Sequence, residues 1–380
     1  MNKNILGFLL IDAPHSALNN AGQDAGSRTE NAIAVKAIRR GKSIYPYISG
    51  QAWRYWWRAT LQSKYNWNVS PISRESKIAF TSANPFSYPD DDVFGYMRAL
   101  KNKPQRETKE AKGKKKNQEK ATPDAQEEPI EAQASSKEVQ SKEKASGTLT
   151  RLSPLKCSPL VSVYEHVPTQ DFGVMARQEG DPVPFEHQFY STIMKGIFSL
   201  DLSNVGIFSQ EAKTGYKNLD SAYVESKEIK EAISQFHAEQ KGSQWILPKE
   251  ERLKRIQDTI SSLSYIYSTT KSSIHLTDVT PKFIILAVIQ GGNHLFMNIT
   301  NGTSDKPIVN LPALKQVIMD YKDILLSDIY IGRQIGFMDS LQEELLKLQK
   351  EISSDSKKLH ILSPKQAIEE FTKTIGTYME

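Results

Sequence analysis

Cysteine is almost absent from this chain. Cys157 is the only one in 380 residues, which excludes an internal disulfide framework and a cysteine-based zinc site and suits a reducing compartment. It lies in an apolar-rich stretch with no nucleophile signature around it, so the sequence assigns it to packing rather than catalysis. Long apolar runs are missing as well. The first one, Ile5 to Ile11, stops at Asp12 without a small-residue cleavage pattern, and Phe283 to Ile289 holds only seven residues, against about 20 for a helix that crosses a bilayer. A cytoplasmic protein without a membrane partner is expected. The seven histidines are dispersed, and no phosphate-binding glycine loop, metal-ligand cluster or Ser/His/Asp grouping is legible, so neither metal nor cofactor is expected and the chain reads as non-enzymatic.

A 38% hydrophobic content suffices for one large core or two ordinary ones. The net charge is +5, too small to demand a polyanionic partner, so arrangement matters more than sum. That arrangement is uneven. Between Arg28 and Lys64 stand eight basic residues (Arg28, Lys36, Arg39, Arg40, Lys42, Arg54, Arg58 and Lys64) against the single acid Glu30, together with three of the five tryptophans and a fourth at Trp67. A helix is expected from just after Ser49, a good N-cap, to about Tyr65. At about 100° per residue, Trp53, Trp56 and Trp57 share a face that should be buried, while Gln51, Arg54, Arg58 and Gln62 share the opposite one. No acid lies three or four residues from Arg54 or Arg58, and both sit early in the helix, where cations gain nothing from the macrodipole. A polyanion at that helix start would suit them.

The run Ser49-Gly50-Gln51-Ala52-Trp53-Arg54, with Arg58 one turn on, resembles the helix start of the CRISPR-associated DevR-type autoregulator family. Further similarity lies in Asn19-Asn20-Ala21-Gly22, in Asp92-Val93-Phe94-Gly95-Tyr96-Met97 and in Arg151 to Val163, scattered over the first 165 residues. The resemblance implies a backbone subunit of a type I Cascade surveillance complex, subtype I-B, that binds CRISPR RNA. In that family the helix start grips the RNA backbone, which implies contacts from Ser49, Gln51, Arg54 and Arg58 here. The loop asparagines Asn19 and Asn20 and the cations Arg28, Arg39, Arg40 and Lys42 complete the expected RNA-binding set. The implied partners are CRISPR RNA, target DNA paired through it, copies of the chain itself in a filament, and other Cascade subunits.

Ile5 to Ile11 is a continuous apolar run and is expected to be a buried, central strand, followed by a polar loop from Asp12 to Ser27. Residues 101–147 hold twelve bases, nine acids and no aromatic residue, too little apolar surface to offset ordering entropy, so a disordered charged insertion is expected between 1–100 and 148–380. Strands are expected over Leu155 to Glu165, Tyr190 to Leu202, Ile329 to Ile335 and as a pair around Gly291-Gly292-Asn293; helices over Lys227 to Lys241, Lys249 to Tyr265, Leu311 to Leu325, Leu341 to Ser353 and Ser363 to Tyr378. Gly180-Asp181-Pro182 marks the turn of a projecting hairpin within 166–190.

These patterns predict an α+β fold around a mostly antiparallel sheet. The family resemblance implies a modified ferredoxin-like, RNA-recognition-motif palm with a helical finger insertion and a thumb. By the same resemblance, Met175 and Phe185 would be wedge residues of the thumb and Arg177 a phosphate contact. Two other readings stand beside this one. Backbone subunits of type III complexes cleave target RNA through a loop aspartate, here Asp24, although a lone carboxylate is weak support for hydrolysis. A nucleic-acid-binding autoregulator is the other, without an evident helix-turn-helix.

Overall fold

The computed structural model describes residues 2–23, 31–75, 78–99, 148–177, 179–269, 275–303, 306–352 and 357–379. The expected insertion 101–147 lies outside them, as do Asp24 and Arg28. Met1–Arg98 and Leu149–Glu380 make one compact unit.

The first strand, β1 (Lys3–Ser16), is followed by β2 (Asn20–Gln23), β3 (Ala32–Val35), β4 (Ala37–Arg40), β5 (Ser43–Ile48) and helix α1 (Gly50–Tyr65). A small hairpin, β6 (Ile72–Glu75) and β7 (Ile78–Thr81), precedes the short α2 (Pro89–Phe94) and β8 (Tyr96–Ala99). After the insertion come β9 (Thr148–Arg151), β10 (Leu155–Cys157), β11 (Leu160–Ser162), β12 (Thr169–Met175), the long β13 (Val183–Asp201) and β14 (Ile207–Ser209). Helices α3 (Ser221–Val224) and α4 (Lys227–Gln235) lead to β15 (Glu239–Lys241), β16 (Gln244–Ile246) and α5 (Lys249–Ser261). The C-terminal part runs β17 (Phe283–Gln290), β18 (Thr300–Thr303), β19 (Lys306–Val309), α6 (Leu311–Asp320), β20 (Ile329–Arg333), α7 (Gln342–Ile352), β21 (Leu359–Leu362) and α8 (Pro364–Thr374).

The main sheet has the order β21-β20-β17-β1-β13-β11-β5-β4, so β1 is central. Its ladders are antiparallel apart from β20 with β21 and a short parallel pairing of β13 with β3. Both faces of β1 are covered, which is why its sequence is continuously apolar instead of alternating. Ile5, Leu9 and Ile11 point into a core shared with α1, α5 and α8. Leu6, Phe8 and Leu10 point into a second core closed by α6 and α7. No helix among the described residues is long and apolar enough to cross a membrane.

Helix α1 is the main packing element of the first core. Trp53, Trp56 and Trp57 are all buried, as their helical spacing predicted. The rings of Trp53 and Trp57 lie 5.3 Å apart, and Trp57 meets Phe198 of β13 edge-on at 5.0 Å. Two of these indole nitrogens find acceptors in the protein. Trp53 Nε1 donates to the Ser158 carbonyl at 2.8 Å, and Trp57 Nε1 donates to the Thr259 carbonyl at 2.8 Å. Phe198 in turn lies flat over Gly7, where a Cβ would fall 2.0 Å from the ring, so the strand at this point admits only glycine.

Several elements depart from the sequence expectation. The loop expected from Asp12 is shorter, because β1 continues to Ser16 with Ala13 and Ser16 buried beside β13. Helix α4 stops at Gln235 instead of Lys241, since His237 takes a positive φ of 50° and Glu239–Lys241 pairs with β16. The pair of strands expected around Gly291 does not form. Both edges of β17 are already occupied, by β1 and β20, so the chain leaves the sheet and the next strand pairs with β19. Replacing Trp57 with alanine is expected to cost about 3–5 kcal/mol, read as a lowered midpoint in urea denaturation of the purified chain.

Candidate nucleic-acid interface

The start of α1 is built from three segments. Ser49, extended at φ −63° and ψ 151°, accepts from the Ala52 amide at 3.3 Å, and no acid stands in the first turn. The Ser49 amide donates to Asn19 Oδ1 at 2.8 Å, while the Asn19 carbonyl accepts from the Lys36 amide at 3.1 Å. Asn19 therefore fixes the loop after β1 to the helix start, and Asn20 and Gln51 remain exposed beside it. Tyr55, one turn beyond Gln51, is 56% exposed. Sequence reading passed over it, although its i+4 spacing from Gln51 placed it on the same face.

Arg54 and Arg58, the two cations on which the sequence reading relied most, are turned to the protein. Arg54 donates from Nη1 to the Leu155 carbonyl at 2.5 Å and from Nη2 to the Phe94 carbonyl at 2.7 Å and Ser153 Oγ at 3.1 Å. Burial holds its guanidinium below the usual range, with Cys157 acting the other way and Arg58 adding to the lowering. Arg58 lies over the Phe94 ring at 4.5 Å, and its Nε is 3.4 Å from Asp90 Oδ2. The acid missing from the helix is supplied from 32 positions away in the sequence, which spacing within α1 cannot reveal. Both arginines hold α1 to the segment around α2. Arg54 makes three hydrogen bonds within the protein, whereas the Arg58 side chain stays 35% exposed.

That segment begins with three acids, Asp90, Asp91 and Asp92, in the first turn of α2, where carboxylates suit the helix dipole. All three are buried. Asp92 pairs with Arg151, accepts from Arg255 Nη1 at 2.9 Å and from the Gly206 amide at 2.9 Å. Two of the sequence motifs behind the family resemblance, Asp92–Met97 and Arg151–Val163, thus meet in one ion pair. Asp90 accepts from the Ser70 amide at 2.9 Å and Asp91 from the Asn84 amide at 3.0 Å, bracing the base of the β6–β7 hairpin. Burial raises the Asp91 carboxyl to about 6. The half-buried Cys157 thiol is pushed up to about 12, also by burial, which keeps it in the thiol form at neutral pH.

The available positive charge lies one hairpin earlier. Arg39, Arg40 and Lys42, at the tip of β4–β5, are exposed. Lys36 and Lys195 are partly exposed on the neighbouring strands, and Arg40 stacks at 5.6 Å over the Tyr45 ring. Among the described residues no carboxylate forms an ion pair with any of these five cations. Lys36, opposite Tyr47, lies near the helix start, while Arg39, Arg40 and Lys42 lie at the other end of the hairpin; cations without a carboxylate partner are suited to holding phosphates.

The β12–β13 hairpin carries the other sequence-derived residues. Met175, opposite Val183 at the end of the ladder, is 52% exposed, and Arg177 beyond it is exposed too. Phe185 behaves differently. Its ring covers Gly173, where a Cβ would come within 2.3 Å of it, and stacks with His187 at a 6.1 Å centroid distance. Phe185 therefore packs within the hairpin and is half-buried. Phe172 and Val174, on the opposite face of the hairpin, are exposed and were not singled out in the sequence because strand alternation alone does not say which face is covered.

The family model for the CRISPR-associated negative auto-regulator DevR/Csa2 matches residues 13–309. The chain belongs to this family. A chain described as belonging to a "CRISPR RNA-guided surveillance complex, pre-nicking" superposes with a TM-score of 0.50 at 9% identity, covering 98% of this chain and 99% of that one. A second, described as "CRISPR RNA-guided surveillance complex", gives 0.41 at 11% identity over 87% of each chain. No curated protein matches by sequence. The likeness to the first structure is one of fold, an α+β architecture dominated by a large sheet.

Two measurements check the internal roles assigned here. Arg54→Met strips the donors from the Leu155 and Phe94 carbonyls and is expected to destabilise the chain by about 1–3 kcal/mol, more than Arg58→Met, whose side chain is 35% exposed. Asp91 carries a folded pKa above its unfolded value of about 4, so its contribution to stability is full below about 4 and is lost as pH rises through about 6. Asp91→Asn should remove that loss: in urea denaturation the variant gains on the parent between pH 4.5 and 7.5, by on the order of 2 kcal/mol.

Proposed function

We propose that the chain is a non-catalytic, CRISPR RNA-binding backbone subunit of a type I Cascade complex, with subtype I-B resting on the sequence resemblance alone. The observation that carries this reading is the family match over residues 13–309. The exposed cations of the β4–β5 hairpin, which precedes α1, support it. In this reading the sheet serves as an RNA-recognition-motif palm, the β12–β13 hairpin as the thumb with Met175 and Arg177 near its tip, and the site of action is the cytoplasm.

The guide is gripped through phosphate and ribose by Asn20, Gln51, Arg39, Arg40 and Lys42, with Asn19 and Ser49 setting the position of the loop and helix start. Arg28 belongs to the same set by sequence. Contacts of this kind carry no base information, which leaves the guide free to read target DNA by pairing. Copies of the chain repeat head to tail along the RNA, and the repetition supplies avidity that one shallow site lacks. The other Cascade subunits close the ends of that array.

The test is Arg39→Glu combined with Lys42→Glu. Both side chains are exposed and outside the core, so the fold should be kept, while affinity for a single-stranded RNA should fall at least tenfold and the dependence on salt should become shallower by about 1.4 in log–log slope, from about 0.7 per contact. Wild-type affinity and slope in the double variant, measured by fluorescence anisotropy, would remove the β4–β5 cations from the proposed contacts.

A further inference from the structure

The register of the sheet puts a second group of cations and rings on the face turned away from α1. Lys195 of β13 lies opposite Val161 of β11, and Val161 lies opposite Tyr47 of β5. The Tyr47 amide donates to the Lys36 carbonyl at 2.9 Å, and the next pairs outward on the same face are Tyr45 with Ile38 and Ser43 with Arg40. Residues directly opposite across a ladder share a face and alternate residues share it along a strand. The intervening residues Pro46, Ile48, Leu160 and Met194 are buried, with Ile48, Leu160 and Met194 in the core that α1 covers.

We propose that this half-open face of β13, β11, β5 and β4 binds single-stranded nucleic acid, with Lys36 and Lys195 on phosphates, Arg40 at the sheet edge shared with the first site, and Tyr45 and Tyr47 against bases. The proposal rests on the nucleic-acid-binding function given above and adds a second track to it, on the other side of the sheet from the helix start.

Charge complementarity selects the occupant. The four strands place no carboxylate on this face over the span concerned. Lys195 donates to the Met297 carbonyl at 3.0 Å and has no acid partner among the described residues, and its ammonium is held below the ordinary range by burial and then by Arg40. A buried ammonium lowered further by a nearby guanidinium is relieved by an incoming anion. Neighbouring strands lie about 4.8 Å apart, so Lys195 and Lys36 stand roughly 14 Å apart across β11 and β5, an extended row of charge instead of a single anion pocket. The tyrosines argue for nucleic acid over an acidic protein, because every base offers a ring face and stacking returns about 1–3 kcal/mol per base. Strand β4 is the edge of the sheet, and its alternation sets Arg39 on the α1 side and Arg40 on this one. A strand held at the helix start can therefore pass round the edge onto the second face.

The experiment uses the full chain and a short uridine-rich RNA carrying 4-thiouridine. Irradiation is expected to cross-link the RNA to the peptide containing Tyr45 and Tyr47. Lys36→Gln combined with Lys195→Gln, at an unchanged melting temperature, is expected to weaken binding about tenfold and to make the log–log salt slope shallower by about 1.4, from about 0.7 per contact. DNA of the same sequence distinguishes the source. A preference for ribose assigns the face to the guide, equal competition opens it to either strand, and both support the site. Cross-links confined to the α1 start and the β12–β13 hairpin, with full affinity and slope in Lys36→Gln/Lys195→Gln, overturn the proposal while leaving the function intact if Arg39→Glu/Lys42→Glu still abolishes binding. Displacement of RNA by polyglutamate as effectively as by unlabelled RNA also overturns it, in favour of an acidic protein. Absence of RNA binding by the wild-type chain sinks both.

Discussion

A single carboxylate ties together parts of the chain that are far apart in sequence. Asp92 is fully enclosed and lies between the guanidinium groups of Arg151 and Arg255, with the Gly206 amide as a further donor. Arg255 goes on to the carbonyls of Pro85 and Phe86, and Arg151 to those of Asn204, Ile207 and Asp92 itself. Taking an ion out of water costs several kcal/mol, so this arrangement persists only because nearly every donor has a partner. The consequence is geometric. The segment carrying α2, the strand that resumes after the insertion and helix α5 are locked in one mutual position, and α1 is docked against them through Arg54 and Arg58.

Helix α1 is thereby a scaffold more than a contact surface. Its indoles fill the core beneath the sheet, its arginines cap carbonyls and an acid at the far side, and what it leaves to solvent is Gln51, Tyr55 and the capped start. Positive charge available to a ligand is displaced to the thin edge of the sheet, where β4 and β5 carry cations on both faces. An edge strand has few neighbours to supply counterions, which is the physical reason its lysines and arginines stay uncompensated while those near α2 do not.

Much of the architecture was legible because its signals are local. The apolar run of β1, the tryptophan spacing and Ser49 cap of α1, and the Ser363-Pro364 start of α8, where Ser363 and Gln366 form a full capping box, each follow from a few consecutive residues. The misread elements failed for nonlocal reasons. The glycines at 291 and 292 look like a hairpin turn until both edges of β17 are found occupied, and the tail of α4 looks helical until β16 claims it.

The same division runs through the site. By itself the sequence determined the family, the α+β class, the basic and aromatic character of the region before α1 and the inward direction of its tryptophans, because composition and period are properties of neighbouring residues. Only the tertiary structure decided which cations remain free. Asp90 reaches Arg58, the carbonyls of Phe94 and Leu155 reach Arg54, and Phe185 settles over Gly173 through contacts between residues well separated along the chain, whereas Arg39, Arg40 and Lys42 form no ion pair among the described residues. Charge pairing depends on distance in space, and a sequence lists distance only along the backbone.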